Sequence, residues 1–590
     1  MNKIRVAALI QCLAFVIPIN IFVVGDWLAI GIQWILFRYQ ISYLGESLIS
    51  ITNEIGYVSS RIITGNSAIV LIIWAAAALL LILAVIINLM SLTSRSCQWA
   101  RKTFILTIIA GLLLGLSVFL QYGLSLKNAT GFCIPVGIPV IIVIGYWGYR
   151  YSELSDKEEI RNTDYSQVIS LFTRRPMSKW NIKKDLIMDD LLFLIPISVI
   201  IKILIFFISL YAPFESITGD VMLYYHYASN VISGQLPYSE FLLEYPPFFF
   251  ISSLIAYIPQ FFVHSFSAYL LSYTALMFVF DAAMVVIVYL LAFRLFGPEK
   301  AFMSGFLYVT AFAAAFFIPI TYDIVPTVLL VLALLLYFYG NTISSYFVAT
   351  TGTLAKWFPI LTLPFFLIHA IKCKTNLIAT KKGFLISGIL VFCLTVPFLL
   401  ISWQGYLFTY TFHISRAIQI HSFVYYCDVI FRSFLIAEYI PLILLLVLAI
   451  AEISLFFWYY FCLDNQILTL SQVIFLSVFF FVILNKGFSA SYIIWLTPFL
   501  ALFLVHSLRH IILFYFIQLV IYVETPLLYR IVYGTDQDYS ILENGLPSFS
   551  FIFYSIKFLI FFLVFFVIFR DLKTGQQDVT RNNLFFRTGK

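Results

Sequence analysis

The sequence predicts an all-α, polytopic transmembrane helical bundle with an extra N-terminal four-helix membrane block. Of its 590 residues, 62% are hydrophobic and only 11% are charged, with a mean hydropathy of +1.00. Apolar runs approaching the length of about 20 residues that crosses a bilayer recur throughout. In hydrocarbon each such run must satisfy its own backbone hydrogen bonds, which selects helices. The formal charge is +7, but the basic residues gather in short loops and sort by side. That pattern sets topology and is no nucleic-acid footprint, so no nucleic acid is expected as a partner. Seven cysteines are scattered without paired spacing and give neither a disulfide framework nor a metal motif.

Taken in order, apolar runs near residues 4–25, 67–93, 103–124 and 132–149 make the N-terminal block, assigned to residues 1–150. The first follows Lys3 and Arg5 and lacks a small-residue cleavage site, so it reads as a retained span. Arg95, Arg101 and Lys102 put the second loop in the cytoplasm, and Lys127 on the outer side. Asn128-Ala129-Thr130 is a glycosylation triplet on that outer side. Residues 151–185 are a polar cytoplasmic linker of mixed charge whose basic end suits anionic lipid. Residues 186–570 form a second membrane domain, and residues 571–590 a basic cytoplasmic tail. Its spans are expected near 186–210, 270–294, 302–318, 325–339, 344–356, 357–371, 384–401, 436–461, 467–484, 492–507, 510–527 and 549–569. The run at 248–263 is broken by Pro259 and reads as interfacial or re-entrant.

Residues 216–250, SITGDVMLYYHYASNVISGQLPYSEFLLEYPPFFF, organise this second domain. The stretch carries Asp220, Glu240 and Glu244, with Glu215 just before it and no Lys or Arg. On a helix over 220–228, Asp220, Tyr224 and Tyr227 share one face. Gly234 and Pro237 end that helix, and Pro246-Pro247 enforces an extended approach to the next run. The sidedness rule puts Asp220 outside, together with Asp323, Lys356, the 402–432 loop, Lys486 and the 528–547 loop. Arg294, Lys300, Lys372, Lys374, Lys381, Lys382, Arg509 and Arg570 fall on the other side.

Several of these external groups suit a lipid-borne phosphate. Lys356 lies deep in an apolar region, where an ammonium needs a counter-charge or a wet cavity. Its other reading is a snorkelling anchor. In TYTFHISRAIQIHSF, His413, Arg416 and Gln419 recur every three residues, so a helix would present them on one face. Arg offers a phosphate paired hydrogen bonds. Lys486, in a turn ahead of Tyr492 and Trp495, is a second phosphate contact or an interfacial anchor. A lipid-linked sugar phosphate would use both kinds of group. A carboxylate takes the proton of an acceptor hydroxyl while cations hold the departing phosphate.

DVMLYYHYASNVISGQLPYSEFLLEYPP resembles the first external loop of polyprenol-phosphate-mannose-dependent α-mannosyltransferases of the GT-C superfamily, the glycosyltransferase family 87-like branch. TYDIVPT, LAKWFPILTLPF, FHISRAIQIHSF and NKGFSASYIIWLTP follow in the family's order, so the resemblance covers roughly residues 186–570. It implies a GT-C-type membrane domain and an inverting transferase. A polyprenyl-phosphate donor would give its sugar, expected to be mannose, to a hydroxyl on a glycan or glycolipid acceptor. Such a protein sits in the cell membrane with its active site external, or lumenal in an endomembrane. The resemblance implies Asp220 as the base, with Arg416, Lys486, His413 and Lys356 as phosphate ligands. The full expected substrate-binding set is Tyr224, Tyr225, Glu244, Asp323, Lys356, His413, Arg416, Gln419 and Lys486. No metal ligands or cofactor are expected, since the lipid-linked donor is a substrate. The chain departs from the family pattern at His421, where relatives carry an acid, and at Ser489-Ala490-Ser491-Tyr492, where they read SPQY. A transporter or flippase of lipid-linked sugars is the alternative, although that class would show repeat symmetry.

Overall fold

The computed structural model describes residues 11–587 except 12, 16, 26–27, 43–44, 95–96, 124–125, 129–130, 160–183, 212–218, 263–264, 375–376, 433–438, 528–540 and 544–545. The start of the first expected span, Arg95, Ala129 and Thr130 of the glycosylation triplet, most of the 151–185 linker, Glu215, much of the 528–547 loop and the tail's end lie outside the described residues. Among the described residues, eight helices are long and apolar enough to cross a membrane. The protein is a polytopic helical membrane protein. Its chain divides into two compact units, Met1–Leu204 and Ile205–Lys590.

The first unit corrects the all-α expectation. Four strands, β1 (Asn20–Val24), β2 (Ala29–Gln33), β3 (Phe37–Ser42) and β4 (Gly45–Ser50), run as an antiparallel meander. Two more, β5 (Lys127–Asn128) and β6 (Gly131–Ile134), return beside β1 to give the order β4-β3-β2-β1-β6-β5. The end of the expected first span is thus strand β1, and the expected 132–149 span begins as strand β6. Pro18 and Gly25 bracket a short β-branched and aromatic stretch that cannot continue a helix. Gly131 adopts φ +128°, and a Cβ there would meet the Val23 carbonyl at 1.8 Å, so β6 reaches β1 only through glycine.

Four helices follow: α1 (Ile51–Ser59), α2 (Asn66–Ser94), α3 (Cys97–Tyr122) and α4 (Ile138–Glu159). The Ser50 side chain caps α1 by accepting from the Asn53 amide. Trp74, Ala77 and Leu81 of α2, Leu114 and Val118 of α3, and Ile138 and Ile141 of α4 share one core with Ile19, Phe22, Ile35 and Cys133 from the sheet region. Three long helices and a sheet therefore stand where four spans were expected. A further helix, α5 (Lys184–Tyr211), contains the division between the units.

The second unit opens with α6 (Gly219–Ile232), a helix too short to span, as the shared face of Asp220, Tyr224 and Tyr227 requires. Next come α7 (Phe249–Tyr257), α8 (Phe266–Phe296), α9 (Pro298–Val309), α10 (Phe312–Phe317), α11 (Ile324–Phe338), α12 (Thr342–Ala355), α13 (Thr362–Cys373) and α14 (Leu377–Ile401). The run at 302–318 is two helices, α9 and α10, broken at Thr310 and Ala311. The remainder is α15 (Trp403–Ser415), α16 (Phe423–Phe431), α17 (Ile440–Phe461), α18 (Ile467–Leu484), α19 (Ile493–Phe503), α20 (Leu508–Tyr522) with a π-helical turn at Val523–Leu527, a short β7–β8 hairpin (Leu542–Glu543 with Leu546–Pro547) and α21 (Phe549–Arg587).

Several inner helices are short. The 15 residues of α11 reach only about 22 Å, less than the roughly 30 Å hydrocarbon layer. Such helices are buried by their neighbours, and their ends lie within protein. Close packing admits them: a Cβ on Gly352 would touch Leu329 and Pro359 at 3.1 to 3.2 Å. Contacts between successive helix ends divide the unit into two poles. Asp323 meets Lys356, Gln419 meets Lys486, and Glu524 meets Lys557 at one pole. At the other, Lys300 bonds His506 and Lys372 caps the carbonyls of Tyr459 and Leu463.

Helix α15 fixes the loop between α6 and α7. Gly405, Thr409 and His413 recur every four residues and form one stripe facing residues 238–244. Thr409 Oγ1 donates to the Leu243 carbonyl (3.0 Å), and the Tyr238 carbonyl would lie 1.6 Å from any Cβ on Gly405. Gly405→Ala is therefore expected to cost about 2 kcal/mol through overpacking. Thermal unfolding in detergent should show a lower midpoint, and an unchanged midpoint would contradict this docking.

Candidate active site

The pole containing Asp220 is built from the ends of several helices. Asp220 lies in the first turn of α6, where the helix dipole favours a carboxylate. The rest of α6 is anchored by aromatic packing. Tyr224 is buried, donates or accepts at the Tyr245 hydroxyl (3.1 Å) and stands edge-on to Phe249 (5.0 Å). Ser253 Oγ donates to the Tyr224 carbonyl. Tyr225 turns the other way and packs on Tyr257, Phe266 and Tyr269, so it supports α6 against α8 and is not on the Asp220 face.

The loop after α6 is folded. Gly234 turns with φ +93°, and Tyr238, at φ +64°, sends its hydroxyl to the Tyr245 carbonyl (2.7 Å). Burying Tyr238 against Phe398 and Tyr406 offsets that backbone conformation. The same fold holds Glu244 half-buried. His413 Nε2 donates to the Glu244 carbonyl (3.2 Å), which makes Nε2 the protonated nitrogen of a neutral ring.

Beneath this loop lies an ion pair. Lys356 Nζ donates to Asp323 Oδ1 at 2.5 Å, and Trp495 Nε1 donates to the same oxygen at 2.8 Å. Asp323 precedes α11, where the helix N-terminus also favours its charge. Lys356 is the residue at which α12 stops, with extended backbone. Three aromatic faces surround the ammonium: Trp495 at 5.2 Å, Tyr492 at 5.3 Å and Tyr245 at 5.9 Å. Phe358, Trp495 and Tyr492 stack successively, with centroids 4.0 and 3.9 Å apart. The lysine is thus a paired cation in an aromatic cage, and the snorkelling alternative does not describe it.

Electrostatics tie these groups together. Asp220 is open to solvent, yet the protein around it raises its carboxyl above the usual range by desolvation. Lys356 and Arg416 pull it down, while Asp323 pushes it up. Glu244 is likewise raised by burial and opposed chiefly by Arg416. Burial, with Lys356 and Arg416 nearby, lowers His413 and keeps the imidazole neutral near physiological pH. Asp220, Glu244, Asp323, Lys356, His413 and Arg416 therefore act on one another, and Tyr224 adjoins them.

The expected helical face of His413, Arg416 and Gln419 does not form. Helix α15 ends at Ser415, and Arg416 has ψ 135°, so residues 416–421 leave the helix. Local turn chemistry wins: Ser422 Oγ donates to the Gln419 carbonyl and caps α16 through the Tyr425 amide. His413 faces the 238–244 loop, while Arg416 is exposed, rests over the Phe412 ring at 6.0 Å and has no ion pair among the described residues. Lys486 Nζ donates to the Ile414 carbonyl (2.5 Å), and its own carbonyl accepts from the Gln419 amide (2.9 Å). Lys486 and Gln419 thus brace the Arg416 segment from behind.

Glu524 and Lys557, which sequence reasoning passed over, lie behind this segment and pair with His421. The signal was available: Lys557 interrupts an otherwise apolar run, SIKFLIFF, and ionisable residues in such runs are costly. The Trp495 indole, beyond the Lys486 turn, completes the Asp323 site. Among the described residues no group of three or more His, Cys, Asp or Glu is arranged to hold a metal ion. No family model, curated protein or solved structure matches the chain.

The ion pair predicts non-additive stability. Lys356→Met or Asp323→Ala alone strands a buried charge and should cost about 3 to 5 kcal/mol. The double variant, which strands neither, should lose less than the sum in thermal unfolding. Strict additivity would show that the two groups do not stabilise one another.

Proposed function

We propose that this protein is an integral membrane glycosyltransferase of GT-C type, using a polyprenyl-phosphate sugar donor, with mannose the favoured sugar, and inverting the anomeric centre. The observation that carries the reading is a solvent-open carboxylate, Asp220, whose charge is influenced by the exposed Arg416 guanidinium, itself without an ion pair among the described residues. Asp220 accepts the proton of the acceptor hydroxyl as its oxygen bonds to the sugar C1. The C1–O bond to phosphate breaks, and its electron pair leaves with the polyprenyl phosphate. Arg416 holds that dianion by paired hydrogen bonds.

Lys356 has a different part. Because Asp323 already neutralises it, it acts as a fixed positive neighbour that keeps Asp220 ionised and ready to accept a proton. Glu244, whose carbonyl accepts from His413 and whose charge interacts with Asp220, would bind sugar or acceptor hydroxyls. The acceptor is a glycan or glycolipid hydroxyl, and the positive-inside rule puts this pole outside the cell membrane, or in the lumen of an endomembrane. A gathering of polar groups at one pole favours group transfer over a transport path, which would thread them across the bilayer.

Asp220→Asn should abolish transfer from labelled polyprenyl-phosphate mannose, by about 100-fold or more, while the protein remains folded. Equal transfer would remove Asp220 as base. Burial raises the Asp220 carboxyl, so kcat/KM should fall on acidification above the pH at which a free aspartate titrates. Arg416 lowers that carboxyl, so Arg416→Gln should move the acid limb to still higher pH. A limb that stays fixed or moves down would separate Arg416 from Asp220.

A further inference from the structure

Behind the Arg416 segment lies a buried charged cluster with no direct part in that reading. Lys557 Nζ donates to Glu524 Oε1 (2.7 Å) and to the His421 carbonyl (2.9 Å). His421 Nδ1 lies 3.2 Å from the same Glu524 oxygen. Both side chains of the Glu524–Lys557 pair have 0% exposure. The ammonium also sits over the rings of Phe488 (4.4 Å), Tyr554 and Phe558 (both 5.2 Å).

A pair this deep gains little net stability, because desolvating the two charges offsets most of their attraction. Hydrophobic residues of similar size would serve packing as well. Its connections are more telling. Glu524 occupies a π-helical turn, a distortion frequent at functional sites. Lys557 joins it to the backbone of His421, while Phe488 lies two residues beyond Lys486. Lys486 in turn grips Ile414 and Gln419. The segment 414–421 is therefore held at three backbone points, and Arg416 projects between the first two.

We propose that Lys557 and Glu524 are positioning residues that fix the 414–421 segment so that the Arg416 guanidinium meets the donor phosphate. The proposal rests on the reading of Arg416 given above. Lys557 reaches from α21 to the His421 carbonyl, and Glu524, in the π turn, accepts from that ammonium and lies against the His421 ring. The binding site thereby borrows rigidity from helices that do not touch the substrate.

The test is binding of undecaprenyl monophosphate to purified protein in zwitterionic nanodiscs, with undecaprenol as the phosphate-free control. Wild type should bind the phosphate and not the alcohol, and Arg416→Ala should lose that preference. Lys557→Met should weaken phosphate binding roughly tenfold, equivalent to about 1.4 kcal/mol of coupling. In the Arg416→Ala background the same substitution should change nothing further, and Lys557→Arg should restore much of the affinity in the wild-type background. If Lys557→Met does not fold, the charge-neutral Glu524→Gln/Lys557→Met pair replaces it. Equal losses with and without Arg416 would reduce the cluster to a structural role and overturn the inference, leaving the phosphate reading intact. Wild type that binds alcohol and phosphate alike, or neither, would overturn both.

Discussion

The Asp323–Lys356 pair is the interaction on which the rest of the candidate site depends. Charges at this depth exist only with partners, and each partner here is delivered by a different helix end. Asp323 comes from the start of α11, Lys356 from the end of α12, and the Trp495 indole from α19. Three short inner helices are thus pinned at one pole, and the chain turns there are fixed. The same pair leaves a positive group beside Asp220 without offering it freely to a substrate.

Above the pair, the ordering of a polar loop is achieved with aromatics and one glycine. Tyr224, Tyr238 and Tyr245 bind each other or backbone carbonyls through their hydroxyls while burying their rings. Gly405 lets α15 lie directly on that loop, and Thr409 and His413 fasten it. The acidic residues therefore sit on a rigid base, with Arg416 at the end of the helix that clamps it. In the proposed reaction, rigidity of this kind would keep base and phosphate ligand at a set separation before substrate arrives.

Hydropathy made the second unit legible, because a bilayer leaves a long apolar run few alternatives to a helix. The α6 face and the division of polar groups between two poles followed from spacing and loop charge. The sheet of the first unit escaped because its strands lie inside runs that length alone assigns to spans. Hydropathy averages cannot separate a buried strand such as NIFVV from a helix end. The departure from helix at Arg416 escaped because periodicity ignores the competing turn made by Ser422 and Gln419. Tyr225 packs away from Tyr224 for a simpler reason: adjacent residues on a helix point in different directions. The Glu524–Lys557 pair carried the same signal as Lys356, an ionisable group within an apolar run, but its partner is known only from the fold.

In the proposed reaction, a base on one side of the sugar and a held phosphate on the other define a single displacement. That geometry has a stereochemical consequence independent of any substitution. The most direct measurement is the anomeric configuration of the product formed by purified protein from a β-linked polyprenyl-phosphate mannose, read by NMR. The account predicts an α-mannoside, whereas retention of the β configuration, or no sugar transfer at all, would contradict it.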